Sequence, residues 1–582
     1  MQLKVCFSLF ILLNIFSTVC LAQAEEKPFI KLVNGTKEQN SITTGKQFIV
    51  GSTCKTCTLT VNNNAAKVYN TGGFAFELLL NAGDTSVEIK ATAGNKSVTK
   101  KVSYNYILPT PAEPVKIVAI ESIETLPEGN LVIRTGDKIK FRVKTLPAAT
   151  VTIFKNIPLY EMPLINGNKM PGIYRGEYIV QATDSFSALK IPVTVTGSDG
   201  QKITKETRYQ FSVQSSLASD IAITKGRLAH LEYGLGDDRL GGAKLGYLDS
   251  LVLLKIIGKV GGDYKIQLAP SLTAYIPEEL VTLLPKGSAG PQSLTGSWSV
   301  YGDDKYDYVT ISLNSKLPYQ SFQETDPSRI MVDVYGASNN TNWISQLQSA
   351  KEIEKVDYEQ VADEIFRIKI KLKHNQHWGH QVYYRGNTMV IKVKQQPKDL
   401  ALNQLTIAVD AGHGGTNTGA GGPTGSSEKQ LALAVSLKLQ KALLAEGVKV
   451  IMTRTTEKFV DNKERILFYR DSMPDLLVSI HLNSSSDPIR SGGTSTHYRY
   501  VGFQPLSMAI NKRMQELGLK QYGVIGSFNF MLNSPTEYPN CLVETLFVSN
   551  PAEEAMMLNE NFQEQMAQKI LQGIKDFLSD IR

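Results

Sequence analysis

Four side chains in the last third of the 582-residue chain are of the types that bind metals or transfer protons: His413, Glu428, His481 and Glu544. Two histidines and one carboxylate match the three-ligand pattern of a catalytic zinc site, which leaves a fourth coordination position for water. A second carboxylate can then accept the proton of that water. The residue types therefore predict a zinc-dependent hydrolytic centre.

The elements around these residues predict that they converge. From Leu405 onward, apolar strands alternate with amphipathic helices, which indicates an α/β layer with a central sheet. His413 and His481 each follow an apolar strand, Glu428 opens a long helix, and Glu544 lies within a later strand. Ligands of open α/β sheets gather at the carboxyl ends of the strands, so residues far apart in sequence are expected to meet there.

Each residue also has a simpler interpretation when it is taken alone. His481 after an apolar strand is more often a hydrogen-bonded structural histidine, and Glu428 is a favourable acid in a first helical turn. The glycines around His413 are consistent with a flexible turn. Glu544 differs because it lies within the apolar segment 542–548, where an unpaired carboxylate is costly and favours a nearby cation.

Five motifs in this region resemble the zinc-dependent N-acetylmuramoyl-L-alanine amidases of bacterial cell walls. In the family's order they are Val-Asp-Ala-Gly-His-Gly-Gly at 409–415, Glu-Lys at 428–429, Thr-Arg at 453–454, Ser-Ile-His-Leu-Asn-Ser at 479–484 and Leu-Val-Glu-Thr-Leu-Phe-Val-Ser-Asn at 542–550. The resemblance implies Zn²⁺ as cofactor, with His413, Glu428 and His481 as its ligands and Glu544 as the catalytic carboxylate.

The same resemblance implies a reaction and a substrate. The bond is the amide between the lactyl group of N-acetylmuramic acid and L-alanine in peptidoglycan, and its cleavage serves cell separation or wall remodelling. Zinc would activate a water that Glu544 deprotonates. Four nearby polar residues are expected to support the site rather than to react: Asp410, Arg454, Arg465 and Asn483.

Three further expectations concern the same domain. His497 is expected to be a partly exposed strand histidine, with a substrate contact as the alternative. Cys541 is expected to be a small buried core residue. Some family members carry a helix between the second histidine and the catalytic glutamate that plugs the site. The interval from His481 to Glu544 is only 63 residues, so we expect no such helix here.

The region before this domain is predicted to be all β. Residues 297–396 alternate in hydrophobicity, and the segment 329–337 resembles an AMIN domain, the β domain that localises cell-wall amidases to the envelope. Within it, His374, His377 and His380 are spaced by three. On a strand this spacing directs neighbours to opposite faces, so a polar hairpin is expected rather than a metal site.

Three β modules precede that region. Residues 27–108, the first β module, and 113–215, the second, resemble bacterial immunoglobulin-like sandwiches, because short strands recur about every ten residues. Residues 216–290, the third β module, resemble an SH3-like barrel that either contacts wall peptides or acts as a spacer. The fold class is thus multidomain, with these all-β modules followed by a catalytic α/β domain at 403–582. A local disulfide between Cys54 and Cys57 is expected.

Residues 1–24 are predicted to be a cleaved signal peptide, because a short apolar run follows Lys4 and ends at Ala22-Gln23-Ala24. A membrane anchor or a lipoprotein signal ending at Cys20 are the alternatives. After cleavage we expect no transmembrane segment and an exported protein of the periplasm or cell envelope. The net charge of +7 includes no Lys/Arg block, so no nucleic-acid partner is predicted.

Three functional hypotheses follow. The first is the zinc amidase, with peptidoglycan as substrate and envelope-localised division or activator proteins as further partners. The second is a zinc peptidase that cleaves the stem peptides of peptidoglycan. The third is a non-catalytic cell-wall-binding protein, which the number of β modules favours and the intact set of four polar residues disfavours.

Overall fold

The computed structural model describes residues 27–34, 39–108, 113–164, 170–214, 219–236 and 240–581. The predicted signal peptide, residues 1–24, lies outside the described residues. Among the helices that are described, none is both long and apolar enough to cross a membrane.

A six-stranded sheet forms the centre of the C-terminal domain. Its strands are β1 (Thr406–Ala411), β2 (Lys449–Ile451), β3 (Leu476–Asn483), β4 (Thr494–His497), β5 (Gln521–Ile525) and β6 (Asn540–Phe547). The spatial order is β2-β1-β3-β6-β4-β5. Strands β1, β3 and β6 run parallel to one another, whereas β4 is antiparallel to β6. The carboxyl ends of β1, β3 and β6 therefore meet at one edge of the sheet.

Helices cover both faces of this sheet, as the sequence pattern predicts. They are α1 (Glu428–Ala445), α2 (Asn462–Ser472), α3 (Gln504–Gln515), α4 (Pro551–Met557) and α5 (Glu560–Asp580). Side chains alternate across β1: Ile407 and Val409 join the core with α1, α3 and α5, whereas Ala408 packs with α2 on the other face. A strand that is apolar on both faces reads as a continuous apolar run, which explains the pattern at 405–409.

The AMIN-like region consists of two main sheets and a short strand pair. The first sheet contains Ile344–Gln346, Trp298–Gly302, Tyr306–Ile311, Thr388–Lys394 and His380–Arg385. The second contains Tyr319–Thr325, Ser328–Tyr335, Ile365–Leu372 and Ile353–Ala362. The short pair is formed by Ser293–Leu294 and Ala337–Ser338.

The first β module has two sheets that enclose their own core. One sheet contains Lys31–Leu32, Lys46–Ser52 and Gly73–Leu79, and the other contains Gln39–Ile42, Lys96–Tyr106, Gly83–Ala93, Thr58–Val61 and Asn64–Ala66. The expected disulfide joins Cys54 and Cys57 at the edge of that core.

The second and third β modules share a sheet. Seven strands belong to the second module alone: Lys202–Glu206, Pro192–Thr196, Thr150–Ile153, Ile157–Glu161, Ile173–Ile179, Lys138–Thr145 and Ile120–Leu126. Two further strands, Leu131–Ile133 and Phe211–Val213, instead extend the sheet of the third module. That sheet also contains Asp220–Thr224, His230–Glu232, Lys244–Tyr247, Leu253–Val260, Asp263–Ala269, Leu272–Pro277 and Val281–Leu283.

The expectation of a polar histidine hairpin in the AMIN-like region is wrong. His377 and His380 are buried where this region meets the C-terminal domain. The amide of His380 donates to the carbonyl of Thr536 (2.7 Å), and Gly502 packs against the ring of His377. Burial lowers the pKa of His377 to about 4 and that of His380 to about 3, so both rings are neutral at pH 7. Their partners lie more than a hundred residues away, where local spacing gives no indication of contact.

Candidate active site

His413, Glu428 and His481 come together at the carboxyl edge of the sheet. One ligand atom from each residue lies within 4.8 Å of the other two. Oε1 of Glu428 is 3.0 Å from Nε2 of His413 and 3.0 Å from Nδ1 of His481. Three elements supply them: the loop after β1, the start of α1 and the end of β3. We refer to these three residues as the metal triad.

Asn417, which the sequence analysis does not identify, fixes the orientation of the His413 ring. Its Oδ1 atom is 3.0 Å from Nδ1 of His413 and accepts from the amide of Gly419 at 3.3 Å. Because an amide oxygen only accepts, Nδ1 of His413 carries a proton, and Nε2 is the ring nitrogen left to bind a metal. This arrangement of an outer hydrogen-bond partner behind a histidine is typical of metal sites.

The donor set fits zinc. Nε2 of His413 lies 3.0 Å from a carboxylate oxygen of Glu428, a separation at which either a proton or a metal cation lies between the two atoms. Two imidazole nitrogens and a carboxylate oxygen form the three-protein-ligand set of catalytic zinc. His413 also adopts a left-handed backbone conformation (φ 58°), which is strained for a residue with a side chain and is typical of functional sites.

Glycines let the loop after β1 approach the metal triad closely. A Cβ atom on Gly412 would lie 2.5 Å from Cε1 of His481, and one on Gly419 would lie 2.5 Å from Oε2 of Glu428. Both distances are far below van der Waals contact. The glycines expected to form only a flexible turn are therefore required by packing against the metal triad.

Glu428 is anchored by backbone donors and stays ionised. Its Oε1 accepts from the amide of Leu482 (3.0 Å), and its Oε2 accepts from the amide of Ala420 (2.8 Å). Burial raises the pKa of this carboxyl, but hydrogen bonds from His413 and His481 outweigh burial and hold it well below the usual range. Glu428 therefore supplies a fixed negative charge to the site.

The pKa of His481 is shifted in the opposite direction. Burial lowers it, but the hydrogen bond and charge of Glu428 outweigh burial, and the charges of Glu544 and Asp410 act in the same direction. The net effect raises the pKa of His481 above its ordinary value. In the metal-free protein a proton therefore competes for the position that a metal would take.

Glu544 lies beside His481 on the neighbouring strand. The two residues are paired in the parallel register of β3 and β6, and Ser495 of β4 pairs with Glu544 from the other side. Glu544 is half-buried, whereas the flanking Val543 and Thr545 are fully buried. It is thus less enclosed than its apolar surroundings in the sequence indicate.

Two buried arginines support the backbone around His413. Arg465 donates to Asp410 (2.9 Å) and to the carbonyl of Ala411 (2.6 Å), and it also bonds the carbonyl of His413. Arg454 donates to the carbonyls of Ala411 and Gly412 at 3.0 and 2.6 Å. Burial raises the pKa of Asp410, but the charges of Arg465 and His481 together with hydrogen bonds from Arg465 and Ser479 outweigh burial and lower the pKa.

Of the other residues considered from sequence, Cys541 is fully buried, as expected. The carbonyl of Asn483 accepts from the amide of Val548 (2.9 Å) and so ties the end of β3 to the chain after β6.

The expectation that His497 is partly exposed is wrong, because its ring is only 6% exposed. It packs 4.5 Å from the ring of Phe528, a residue 31 positions further along the chain.

The interval between His481 and Glu544 is described throughout. It contains β4, α3 and β5, together with short 3-10 turns at Val501–Phe503 and Met531–Asn533. Strands β4 and β5 belong to the central sheet, and α3 packs in the main core. The loop between β5 and β6 brings Phe530 to 5.6 Å from the ring of His481, which adds an aromatic side chain to the margin of the site.

Two known protein families match parts of the chain. Residues 407–576 match the N-acetylmuramoyl-L-alanine amidase family, and residues 299–399 match the AMIN domain. The chain is 25% identical over 369 residues to N-acetylmuramoyl-L-alanine amidase AmiC of Neisseria meningitidis serogroup B, a match that covers 48% of this chain and 89% of AmiC.

Two further similarities concern the C-terminal domain. The probable cell wall amidase LytH of Staphylococcus epidermidis is 30% identical over 180 residues, which is 31% of this chain and 60% of LytH. The catalytic domain of the amidase CwlV of Bacillus (Paenibacillus) polymyxa var. colistinus is 32% identical, with 31% of this chain and 99% of that chain covered and a TM-score of 0.29. The chain therefore combines a domain of the N-acetylmuramoyl-L-alanine amidase family at residues 407–576 with an AMIN domain at residues 299–399.

Proposed function

We propose that this protein is an exported zinc amidase that hydrolyses the amide between the lactyl group of N-acetylmuramic acid and L-alanine in peptidoglycan. The observation that carries the proposal is the metal triad with Glu544 beside it, inside a domain of the amidase family. The reaction would serve cell separation or wall remodelling. The AMIN domain and the AmiC relative support a periplasmic or envelope location.

The residues of the chain would have the following roles in the reaction. His413, Glu428 and His481 would hold Zn²⁺, which when bound acidifies a water and polarises the scissile carbonyl. Glu544 would accept a proton from the attacking water and return it to the leaving amine of L-alanine. Asn417 would keep the lone pair of His413 Nε2 directed at the metal position. The two buried arginines, Arg454 and Arg465, would keep the strained His413 backbone in place.

The affinity for zinc should fall at acid pH. Glu428 remains ionised, so the competing proton binds at His481, whose raised pKa makes it compete with zinc at a higher pH than an ordinary histidine would. We expect the affinity to be highest at alkaline pH and to fall as the pH is lowered through the raised pKa of His481, by roughly tenfold per pH unit for each proton that zinc must displace. Competition with a chromophoric chelator between pH 5 and 8 measures this. A flat profile over that range would contradict the assignment of the ligands.

The products distinguish the amidase from the alternative stem-peptide peptidase. We expect digestion of purified peptidoglycan to release peptides with a free L-alanine amino terminus and to leave muramic acid with an unsubstituted lactyl group. Mass spectrometry of both fractions measures this. Release of shorter peptides from glycan that still carries L-alanine would instead support the peptidase. Intact peptidoglycan after digestion by a zinc-loaded chain would support a cell-wall-binding protein.

A further inference from the structure

The first β module, although more than three hundred residues before the metal triad in sequence, contacts the C-terminal domain at the loop that leads to Glu428. The contact is made by its edge strand Gly73–Leu79. Side chains alternate along this strand. Phe74 and Leu78 point into the module's own core, so Gly73 and Glu77 share the opposite face.

At one end of this face, Gly73 packs against the C-terminal domain. A Cβ atom on Gly73 would lie 3.2 Å from Oε2 of Glu554, 3.3 Å from Cγ2 of Thr424 and 3.5 Å from Cβ of Pro423. Gly73 is buried within a strand and is not among the residues with positive φ. Even a methyl group at this position would need these neighbours to shift by a few tenths of an ångström, so the contact, and not the backbone conformation, favours glycine here.

At the other end of the face, charges meet across the contact. Glu77 forms an ion pair with Arg490, and Lys46 of the adjacent strand lies 3.5 Å from Asp487. Burial raises the pKa of Glu77, but its hydrogen bond to Arg490 is the larger effect and lowers the pKa. The two contacts reach two different loops of the C-terminal domain: the loop between β1 and α1, and the loop after β3.

Both loops lie at the carboxyl edge of the sheet, because each follows the carboxyl end of a parallel strand. Glu554 lies in α4, the helix that follows β6, and β6 carries Glu544. The side chain of Glu554 connects this part of the domain to the loop between β1 and α1. This carboxylate is fully buried and accepts from the hydroxyls of Thr424 (2.7 Å) and Ser426 (2.6 Å) and from the amide of Thr424 (3.0 Å).

The same loop ends at Glu428 of the metal triad. The amide of Gly422 donates to the carbonyl of Ser426 (2.9 Å), which closes the loop, and the amide of Glu428 donates to the carbonyl of Ala420 (2.8 Å). Ala420 in turn donates to the Glu428 carboxylate. A continuous set of contacts therefore runs from Gly73 through Thr424 and Glu554 to a metal-binding carboxylate.

We propose that the first β module is a fixed part of the active site, docked through Gly73 and Glu77, and that it holds the loop before Glu428 in its metal-binding position. The inference rests on the proposed zinc amidase function, because it assigns the module a role at that same site. Gly73 and Glu554 are positioning residues in this arrangement. Release of the module loosens the loop and weakens zinc binding.

A cross-link tests the docking in the full chain. The 3.5 Å separation between Cβ positions at residues 73 and 423 is within the range of a disulfide. We expect the pair Gly73→Cys with Pro423→Cys to form a disulfide under mild oxidation, identified by peptide mass mapping alongside the native Cys54 to Cys57 bond. The pair Leu79→Cys with Pro423→Cys is the matched control and should not link, since Leu79 is 78% exposed at the far end of the strand. Equal linking of both pairs, or of neither, would overturn the docking.

Matched arginine variants test whether docking of the first β module affects zinc binding. Gly73→Arg inserts a side chain into the contact while leaving the module's own core intact, and Leu79→Arg adds the same charge to the exposed end of the strand. We expect the zinc dissociation constant of Gly73→Arg to rise at least fivefold and the amides of residues 422–428 to exchange hydrogen faster, with both quantities unchanged in Leu79→Arg. Unchanged zinc affinity in Gly73→Arg would overturn the inference. These readouts need no peptidoglycan, so a failure of the amidase proposal would appear separately, as absence of the amide product from wild type.

Discussion

Glu544→Gln should reduce amidase turnover by about 10²–10⁴-fold, the range that a general base contributes. Glutamine has nearly the same shape as glutamate but cannot accept a proton from the attacking water. The zinc content should be unchanged, because Glu544 does not belong to the metal triad. Initial rates of L-alanine amino-terminus formation and metal analysis of both proteins measure the two effects.

The matched control for this variant is Glu464→Gln, an exposed glutamate of α2, which should retain wild-type turnover. If Glu544→Gln keeps its activity, Glu544 is not the base. If it loses zinc as well as activity, Glu544 contributes to metal binding instead, and the division of roles between the two carboxylates is wrong.

Arg465→Met should destabilise the C-terminal domain by about 3–5 kcal/mol, the usual cost of removing one partner of a buried ion pair. Asp410 and Arg465 are 0% and 1% exposed, so the variant leaves an unpaired carboxylate in the interior. It also removes the donors to the carbonyls of Ala411 and His413. Calorimetry should show the transition of this domain lowered by roughly 10 °C, given about 2–4 °C per kcal/mol at this size.

Two further variants distinguish the effect of an unpaired buried charge from a general loss of stability. Lys463→Met, at an exposed position on the same helix, should leave the transition unchanged. Combining Arg465→Met with Asp410→Leu should recover part of the lost stability, because the carboxylate that lost its Arg465 partner is then removed as well. A transition that Arg465→Met leaves unaltered would show that the Asp410 ion pair does not stabilise the loop that carries His413.

The convergence of the metal triad was predictable from sequence because it follows from a rule of topology. His413 lies just after one apolar strand and His481 near the end of another, and the carboxyl ends of parallel strands meet at one edge of the sheet. Asn417 was not predictable in the same way. An asparagine four residues after a histidine in a glycine-rich loop has no periodic pattern, and its role depends on the fold of that loop.

Contacts between distant parts of the chain explain why the burial of two histidines and the reason for one glycine could not be predicted from the sequence. His377 is buried because Gly502 packs on it, and His497 because Phe528 does. Gly72 and Gly73 together resemble a turn in the sequence. Gly72 does have a positive φ of 86°, but Gly73 begins a strand, and the close approach of Thr424 and Glu554 favours glycine there. Local pattern cannot distinguish these two reasons for a glycine.

The most direct test of the account starts from protein that has been freed of metal and is then titrated with zinc. The measurement is the formation of L-alanine amino termini from purified peptidoglycan. The account predicts no product without metal, full recovery at one zinc per chain, and no recovery in His413→Ala at the same zinc concentration. Product formed at the wild-type rate by the metal-free chain would contradict the central claim that His413, Glu428 and His481 hold a catalytic zinc.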